Sequence, residues 1–385
     1  MNFELTEIQK DIQTAAREFA EKEFPEVARE CDEKEEFPKE LWKKACGLDF
    51  IGIFIKEEYG GAGLGFTEAA ILMEEFSRVD PGCGSILLTA FGAEILQDFG
   101  TEAQKKMYLP LIRAGEAIMG CGITEPGAGS DIFSVATSAV KDGDEYVING
   151  TKTFITNGTI ADFILVFCLT DPETKDRFKK HSFILVETDR PGFEAIKIKG
   201  KMGIRASDTA ELSFSNVRVP KKNLIGEAEG DGFRQVMHLF NLNRLLCAAQ
   251  GIGTAQGAFD KTVKHITKRI QFGKPISSFQ GVQFMIAEMA AKIEVGRNML
   301  HKACWLIDQG IFDPKAISIA KLFAGETAVS VANDAVQLHG GYGYIADYGV
   351  EHFYRDAKIV EIYEGTREIE KVTIAREILG RLNTV

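Results

Sequence analysis

Basic charge is what this sequence most lacks. Its 45 Lys and Arg face 56 Asp and Glu, a net charge of -11 over 385 residues. Non-specific nucleic-acid binding needs an excess of cations to replace counterions, so that class is excluded. Its seven cysteines are scattered and form no Cys-x-x-Cys. Odd in number and far apart, they read as reduced, mostly buried thiols in a reducing compartment rather than a disulfide framework. The six histidines show no metal-ligand spacing and no His-Glu-x-x-His, so no metal site is expected. A Walker A loop and a Gly-x-Ser-x-Gly elbow are also missing, which sets aside P-loop phosphoryl transfer and elbow-type hydrolysis. No apolar run approaches the roughly 20 residues that cross a bilayer. The stretch Met1–Lys10 has neither the basic and apolar regions of a signal peptide nor the bias of a transit peptide. The expectation is therefore no membrane span and a cytoplasmic location.

The remaining sequence patterns as α, then β, then α. Residues 1–120 read as a helical domain. Leu5, Ile8, Ile12, Ala15 and Phe19 recur at helical spacing behind a possible N-cap at Thr6. Pro38 starts a second helix, and further helices are expected over 67–79, 85–99 and 101–114. Residues 121–230 read as an antiparallel β domain of sandwich or barrel type, with short apolar runs at Tyr146–Ile148, Phe163–Leu169 and Ser182–Val186. Leu212, Phe214, Val217 and Val219 alternate, and Asn149-Gly150 and Asn157-Gly158 read as turns. Residues 231–385 are helical again, with Val282, Met285, Ile286, Met289, Ile293, Leu300 and Cys304 on one stripe of a long helix. Gly251, Gly253 and Gly257 lie inside a helical pattern, so close helix packing is a better reading than a nucleotide loop. The fold class is α+β.

Four stretches have residue types suited to chemistry. Ile123-Thr124-Glu125-Pro126-Gly127-Ala128-Gly129-Ser130-Asp131 combines hydroxyls with backbone freedom, as a turn or as a cradle for a flat or anionic ligand. Arg269–Gln280 is a polar break between two helices, with Arg269 either a surface residue or a phosphate partner. Gln337-Leu338-His339-Gly340-Gly341 is either a helix C-cap or a close backbone approach to a ligand. Ile362-Tyr363-Glu364-Gly365-Thr366 sets one carboxylate behind an apolar run and before a helix.

In this order, with Phe154-Ile155-Thr156 and a helix carrying Arg244 between them, these motifs resemble the acyl-CoA dehydrogenase family along essentially the whole chain. The resemblance implies an N-terminal helical domain, a middle β domain and a C-terminal four-helix domain, assembled as a homotetramer that is a dimer of dimers. It implies FAD as cofactor, an acyl-CoA as substrate and electron-transfer flavoprotein as redox partner. Ile123, Thr124, Ser130, Phe154, Ile155 and Thr156 would surround the flavin. Arg269, Phe272, Gln280, Gln337, Gly340 and Gly341 would hold FAD from a neighbouring subunit, and Thr366 would meet its other side. Ser130, Asn241 and Arg244 would lie along the acyl-CoA path. Glu364 matches the family's base, taking the α-proton while the β-hydride goes to flavin N5.

Three positions depart from common family patterns. Phe154 stands where Trp is usual and lacks an indole N–H. Asn241 stands where many members have Asp. Asn243 occupies the position from which some branches supply the base, and an amide cannot do so. Apolar neighbours, Ile362 and Tyr363, are expected to raise the Glu364 pKa. The stretch 83–96, with Ser85, Leu87, Leu88, Thr89 and Ala90, is expected to line the acyl pocket. No Arg lies between Arg78 and Arg113, which disfavours a dicarboxylyl group, since a buried carboxylate needs a partner. A short or medium aliphatic acyl group is expected, with a cyclic one as alternative. The rivals in other classes are an acyl-CoA oxidase and a non-catalytic CoA-ester binding protein.

Overall fold

A computed structural model describes residues 4–380. The N-terminal helices are α1 (Glu7–Lys34), α2 (Lys39–Cys46), α3 (Phe66–Val79), the single turn α4 (Pro81–Gly84), α5 (Ala93–Phe99) and α6 (Glu102–Ala114). Thr6 caps α1 in a reciprocal box with Gln9, its hydroxyl 3.3 Å from the Gln9 N–H. Helix α3 is buried on nearly every side, and its first turn is capped from far away. Asp308 accepts the N–H groups of Phe66 and Thr67 at 2.7 and 3.1 Å, a carboxylate at the positive end of the helix. The single helix expected over 85–99 is in fact two pieces. A 3-10 segment ends at Ala90, Gly92 takes φ 103, and α5 begins afresh. An α-helix cannot pass through a left-handed residue.

The middle strands are β1 (Met119–Gly122), β2 (Ser138–Asp142), β3 (Glu145–Thr156), β4 (Phe163–Leu169), β5 (His181–Glu187), β6 (Phe193–Lys197) and β7 (Thr209–Pro220). Strands β2, β3, β7 and β6 run antiparallel in that spatial order, while β4 is flanked by β5 antiparallel and β1 parallel. The two groups join where Ser138 pairs with Leu169. Thus the β domain is mostly antiparallel, and the parallel β1 straddles residue 120. Asn157-Gly158 does end β3, but Asn149-Gly150 is not a turn. It lies within β3, at a register shift against β7. A Cβ on Gly150 would collide with Thr137, so glycine there admits a close backbone crossing.

The chain then forms α7 (Gly232–Lys268), a hairpin of β8 (Ile270–Gln271) and β9 (Lys274–Pro275), and helices α8 (Gln280–Asp308), α9 (Pro314–His339), α10 (Val350–Ala357) and α11 (Arg367–Leu379). Helix α7 meets α9 and α3 at its small residues. A Cβ on Gly251 would lie 3.0 Å from the Ala324 carbonyl oxygen, and one on Gly253 or Gly257 would strike the carbonyls of Glu74 or Arg78. Close helix packing is therefore the role of this glycine series. On α8, Met289, Ile293, Leu300 and Cys304 are buried while Val282, Met285 and Ile286 are half-buried. Two cores result. One unites the N-terminal helices with the sheet; the other joins the C-terminal helices to Ala70 and Met73 of α3.

Candidate active site

The loop before α11 holds Glu364 in the left-handed region, at φ 53, a conformation that costs a non-glycine residue about 1–2 kcal/mol. Long-range cations hold it there. Arg244 of α7 donates through Nε to the Glu364 carbonyl oxygen at 3.1 Å and pairs with buried Glu370 at 2.9 Å. Lys321 of α9 donates to the Gly365 carbonyl. Gly365 has φ 112, and a Cβ there would press into Glu370 and Arg244. Thr366 caps α11, its hydroxyl 3.4 Å from the Ile369 N–H. The Tyr363 hydroxyl donates to Gln250 of α7.

The Glu364 side chain enters a cavity of about 30 Å³. Met73, Leu88, Phe91 and Leu246 form its apolar wall, and Thr156, Asn243, Cys247 and Gln250 contribute polar atoms. Glu364 Oε2 is buried without a hydrogen-bond partner among the described residues. Burial pushes the carboxyl up to about 7, against the opposing pull of Arg244 and Lys321. Ile362 does not supply this burial, because it is 49% exposed; side chains from α3, the 85–91 segment and α7 do. The Glu364 N–H makes no hydrogen bond among the described residues.

The expected lining from 83–96 is only partly present. Leu88 and Phe91 reach the cavity, but Ser85 donates to the Gly82 carbonyl and Thr89 accepts from the Trp42 indole at 3.0 Å. A residue the sequence reading passed over lies close by. Glu94, 2% exposed, accepts from Asn243 Nδ2 at 3.4 Å and from the Gly92 N–H at 3.1 Å. Burial raises its carboxyl to about 7. Lys321, the other functional candidate missed, interrupts the apolar run Ala316–Ala324. An isolated charge in such a run was the available signal in both cases.

The motif residues fall into two places. Thr156 opens on the Glu364 cavity, with Ile155 buried beside it. Phe154 takes φ 59 at a second β3 irregularity, which turns it out of the sheet and leaves it 68% exposed. The Thr153 N–H donates to the Thr124 carbonyl at 2.9 Å, and buried Lys152 reaches the Ile123 carbonyl at 2.9 Å and Glu125 at 2.8 Å. Ile123, Thr124 and the β3 bulge thus form one connected rim, from which Ser130 extends into solvent. Asn241 is buried and accepts from Arg244 at 3.2 Å.

Arg269, Gln337, Gly340 and Gly341 gather elsewhere, along a groove of about 500 Å³. Arg269 lies 5.2 Å from the centre of the Tyr342 ring. Nothing lies within 4 Å of a Cβ placed on Gly340 or Gly341, so backbone there is open to a ligand. Phe272 is 93% exposed at the tip of the β8–β9 hairpin, and Gln280 is exposed at the start of α8. These open features fit a long, partly aromatic and partly phosphorylated cofactor: an exposed aromatic and a hydroxyl beside the carboxyl cavity, and glycines with Arg269 along a groove.

Three sequence families match in chain order. They are the acyl-CoA dehydrogenase N-terminal domain over residues 6–116, its middle domain over 120–217 and its C-terminal domain over 230–379. The chain is 45% identical over 384 residues to an acryloyl-CoA reductase (NADH) of Anaerotignum propionicum, covering 99% of this chain and 97% of that protein. The butyryl-CoA dehydrogenase of Megasphaera elsdenii superposes with a TM-score of 0.94 at 37% identity, over 98% of this chain and 100% of that one. A chain from the structure described as the electron transferring flavoprotein of Acidaminococcus fermentans superposes with a TM-score of 0.95 at 42% identity, over 99% of this chain and 100% of that one.

Proposed function

This chain belongs to the acyl-CoA dehydrogenase family and is an FAD-dependent oxidoreductase, and on that premise we propose how its residues divide the dehydrogenation of an acyl-CoA thioester to a 2-enoyl-CoA. Glu364 removes the α-proton. One observation carries this: its Oε2 is buried and unpartnered among the described residues in a largely apolar cavity, with the carboxyl raised to about 7. A base so placed is matched to proton transfer near neutrality. Its free N–H donates to the thioester carbonyl, where negative charge develops. Arg244 and Lys321 fix the loop carbonyls so that base and donor keep their relation. FAD, when bound, supplies the acceptor for the β-hydride.

Ile123, Thr124, Ser130, Phe154, Ile155 and Thr156 hold the flavin end, with Phe154 over its face and Thr366 behind the loop. Arg269, Phe272, Gln280, Gln337, Gly340 and Gly341 hold the nucleotide end of a cofactor shared with a neighbouring subunit. Ser130, Asn241 and Arg244 line the way in for the thioester. A homotetramer suits the exposed Phe272 and, on α8, Phe284, Val295 and Trp305, apolar groups that association would cover. The divisions near residues 120 and 230 belong to the same reading.

The acyl group is short. Its chain would lie against the apolar wall of Met73, Leu88, Phe91 and Leu246. Electron-transfer flavoprotein is the redox partner, in line with the resemblance to one chain from a structure described in those terms. The test is anaerobic mixing of the FAD-loaded protein with butyryl-CoA. Rapid loss of the oxidised flavin absorbance is expected. A flavin that stays oxidised with butyryl-, propionyl- and octanoyl-CoA alike overturns the reading.

A further inference from the structure

We propose that Asn243, backed by Glu94, is a specificity-determining wall of the acyl cavity that receives a short acyl group carrying a hydrogen-bond donor on its chain. The proposal rests on the acyl-CoA reading above and adds to it the chemistry of the acyl group. Asn243 lines the same cavity as Glu364. Its Nδ2 donates to the Leu239 carbonyl at 3.1 Å and toward Glu94 Oε1 at 3.4 Å. A flipped amide would set its oxygen against a carbonyl and a carboxylate, so the orientation is fixed by two acceptors. Both N–H groups are thereby engaged, so Oδ1 is the amide atom still free to accept. It makes no hydrogen bond among the described residues.

Glu94 makes this wall more than a stray amide. It is 2% exposed, and no cation offsets its burial among the described residues. Its other oxygen is held by the N–H of Gly92 at 3.1 Å, at the left-handed break that starts α5. A carboxyl oxygen that accepts from the amide N–H polarises the amide and strengthens Oδ1 as an acceptor. Met73, Leu88, Phe91 and Leu246 complete the apolar part of the wall, and the other strong acceptors of the cavity are Thr156, Gln250 and the base Glu364 itself. A hydroxyl or ammonium on the acyl chain satisfies Oδ1; a plain alkyl chain buries it unpaired.

The test compares 4-hydroxybutyryl-CoA with pentanoyl-CoA, chains of equal heavy-atom count, using the FAD-loaded protein. The wild type is expected to favour the hydroxy substrate in kcat/KM by on the order of tenfold, the equivalent of one hydrogen bond. Asn243→Leu should invert that ratio and Glu94→Gln should reduce it; Asn243→Thr serves if the leucine variant does not retain FAD. A purely structural role would lower both substrates together and leave the ratio unmoved. A wild-type ratio of one or less, or a ratio unchanged in the variants, overturns the wall while leaving the acyl-CoA reading intact. Failure of every acyl-CoA, butyryl-CoA included, to reduce the flavin overturns both.

Discussion

Glu364 combines a strained backbone, a buried carboxyl and two cationic supports, and each has a measurable consequence. Glu364→Gln keeps the shape and removes the base, so turnover should fall by several orders of magnitude while FAD and acyl-CoA still bind; single-turnover flavin reduction reads this directly. In the wild type, kcat/KM should rise with pH through about 7 as the base loses its proton. Stability should run the other way. A carboxyl raised by folding binds its proton more tightly in the folded state, so ionisation destabilises the fold as pH climbs from the ordinary carboxylate range to about 7. Glu364→Gln should therefore gain melting temperature over the wild type at pH 8 and little at pH 5. The base was legible in the sequence through the order of motifs around it. Its supports were not, because Arg244 and Lys321 are 120 and 44 residues away along the chain and local pattern carries no such pairing.

Among the elements, those set by local chemistry were readable and those set by tertiary contact were not. Thr6 announces its helix because cap and helix are neighbours. The spacing of Val282 to Cys304 announces α8 because burial follows the helical period. The break between Ala90 and α5 was hidden: Ile86–Leu96 has helical spacing, and the chain turns at Gly92, which packs against Met119, Cys121 and Leu165 of the sheet. Asn149-Gly150 misled for a related reason, since a turn-forming pair also serves a bulge where Thr137 crosses the strand. Two predictions belong to this scale. Gly253→Ala places a methyl against the Glu74 carbonyl and should cost about 1–3 kcal/mol in chemical denaturation by overpacking α7 on α3; an unchanged midpoint would mean the helices part easily. Arg269→Ala, at the groove between α7, α9 and the hairpin, should lower flavin retention or shift the assembly state on gel filtration. Full retention in an unaltered oligomer would remove Arg269 from the cofactor site.

Across the whole molecule, one charged cluster ties the three parts together. His352 of α10 has its Nε2 3.0 Å from Asp80 and 3.1 Å from Asp356. Arg355 pairs with Asp32 of α1 at 2.7 Å, and Asp356 accepts the Ile204 N–H of the middle domain at 2.6 Å. Burial opposes the imidazolium, but Asp356, Asp80 and Asp32 outweigh it and hold His352 protonated well above the usual range. Burial likewise opposes charge on Asp32 and Asp80, yet their cationic partners keep both carboxyls low. The His352 contribution is present below the ordinary imidazole pKa and is lost as pH rises through its raised value; the aspartate contributions are lost as pH falls through their lowered values. The cluster therefore holds across the neutral range. His352→Gln should cost about 3–5 kcal/mol, because it strands buried carboxylates, and a loss below 1 kcal/mol in urea titrations would show them to be solvated. The seven cysteines, all buried and unpaired, have a practical consequence at this scale. Cys31, Cys46 and Cys83 lie in the N-terminal helices, Cys121 and Cys168 in the sheet, and Cys247 and Cys304 in the C-terminal helices. A water-soluble thiol reagent finds little thiol on the folded surface, so, Cys247 in the cavity apart, its rate of uptake is a clock for opening. Peptide mapping of the labelled sites would tell which of the three parts opens first.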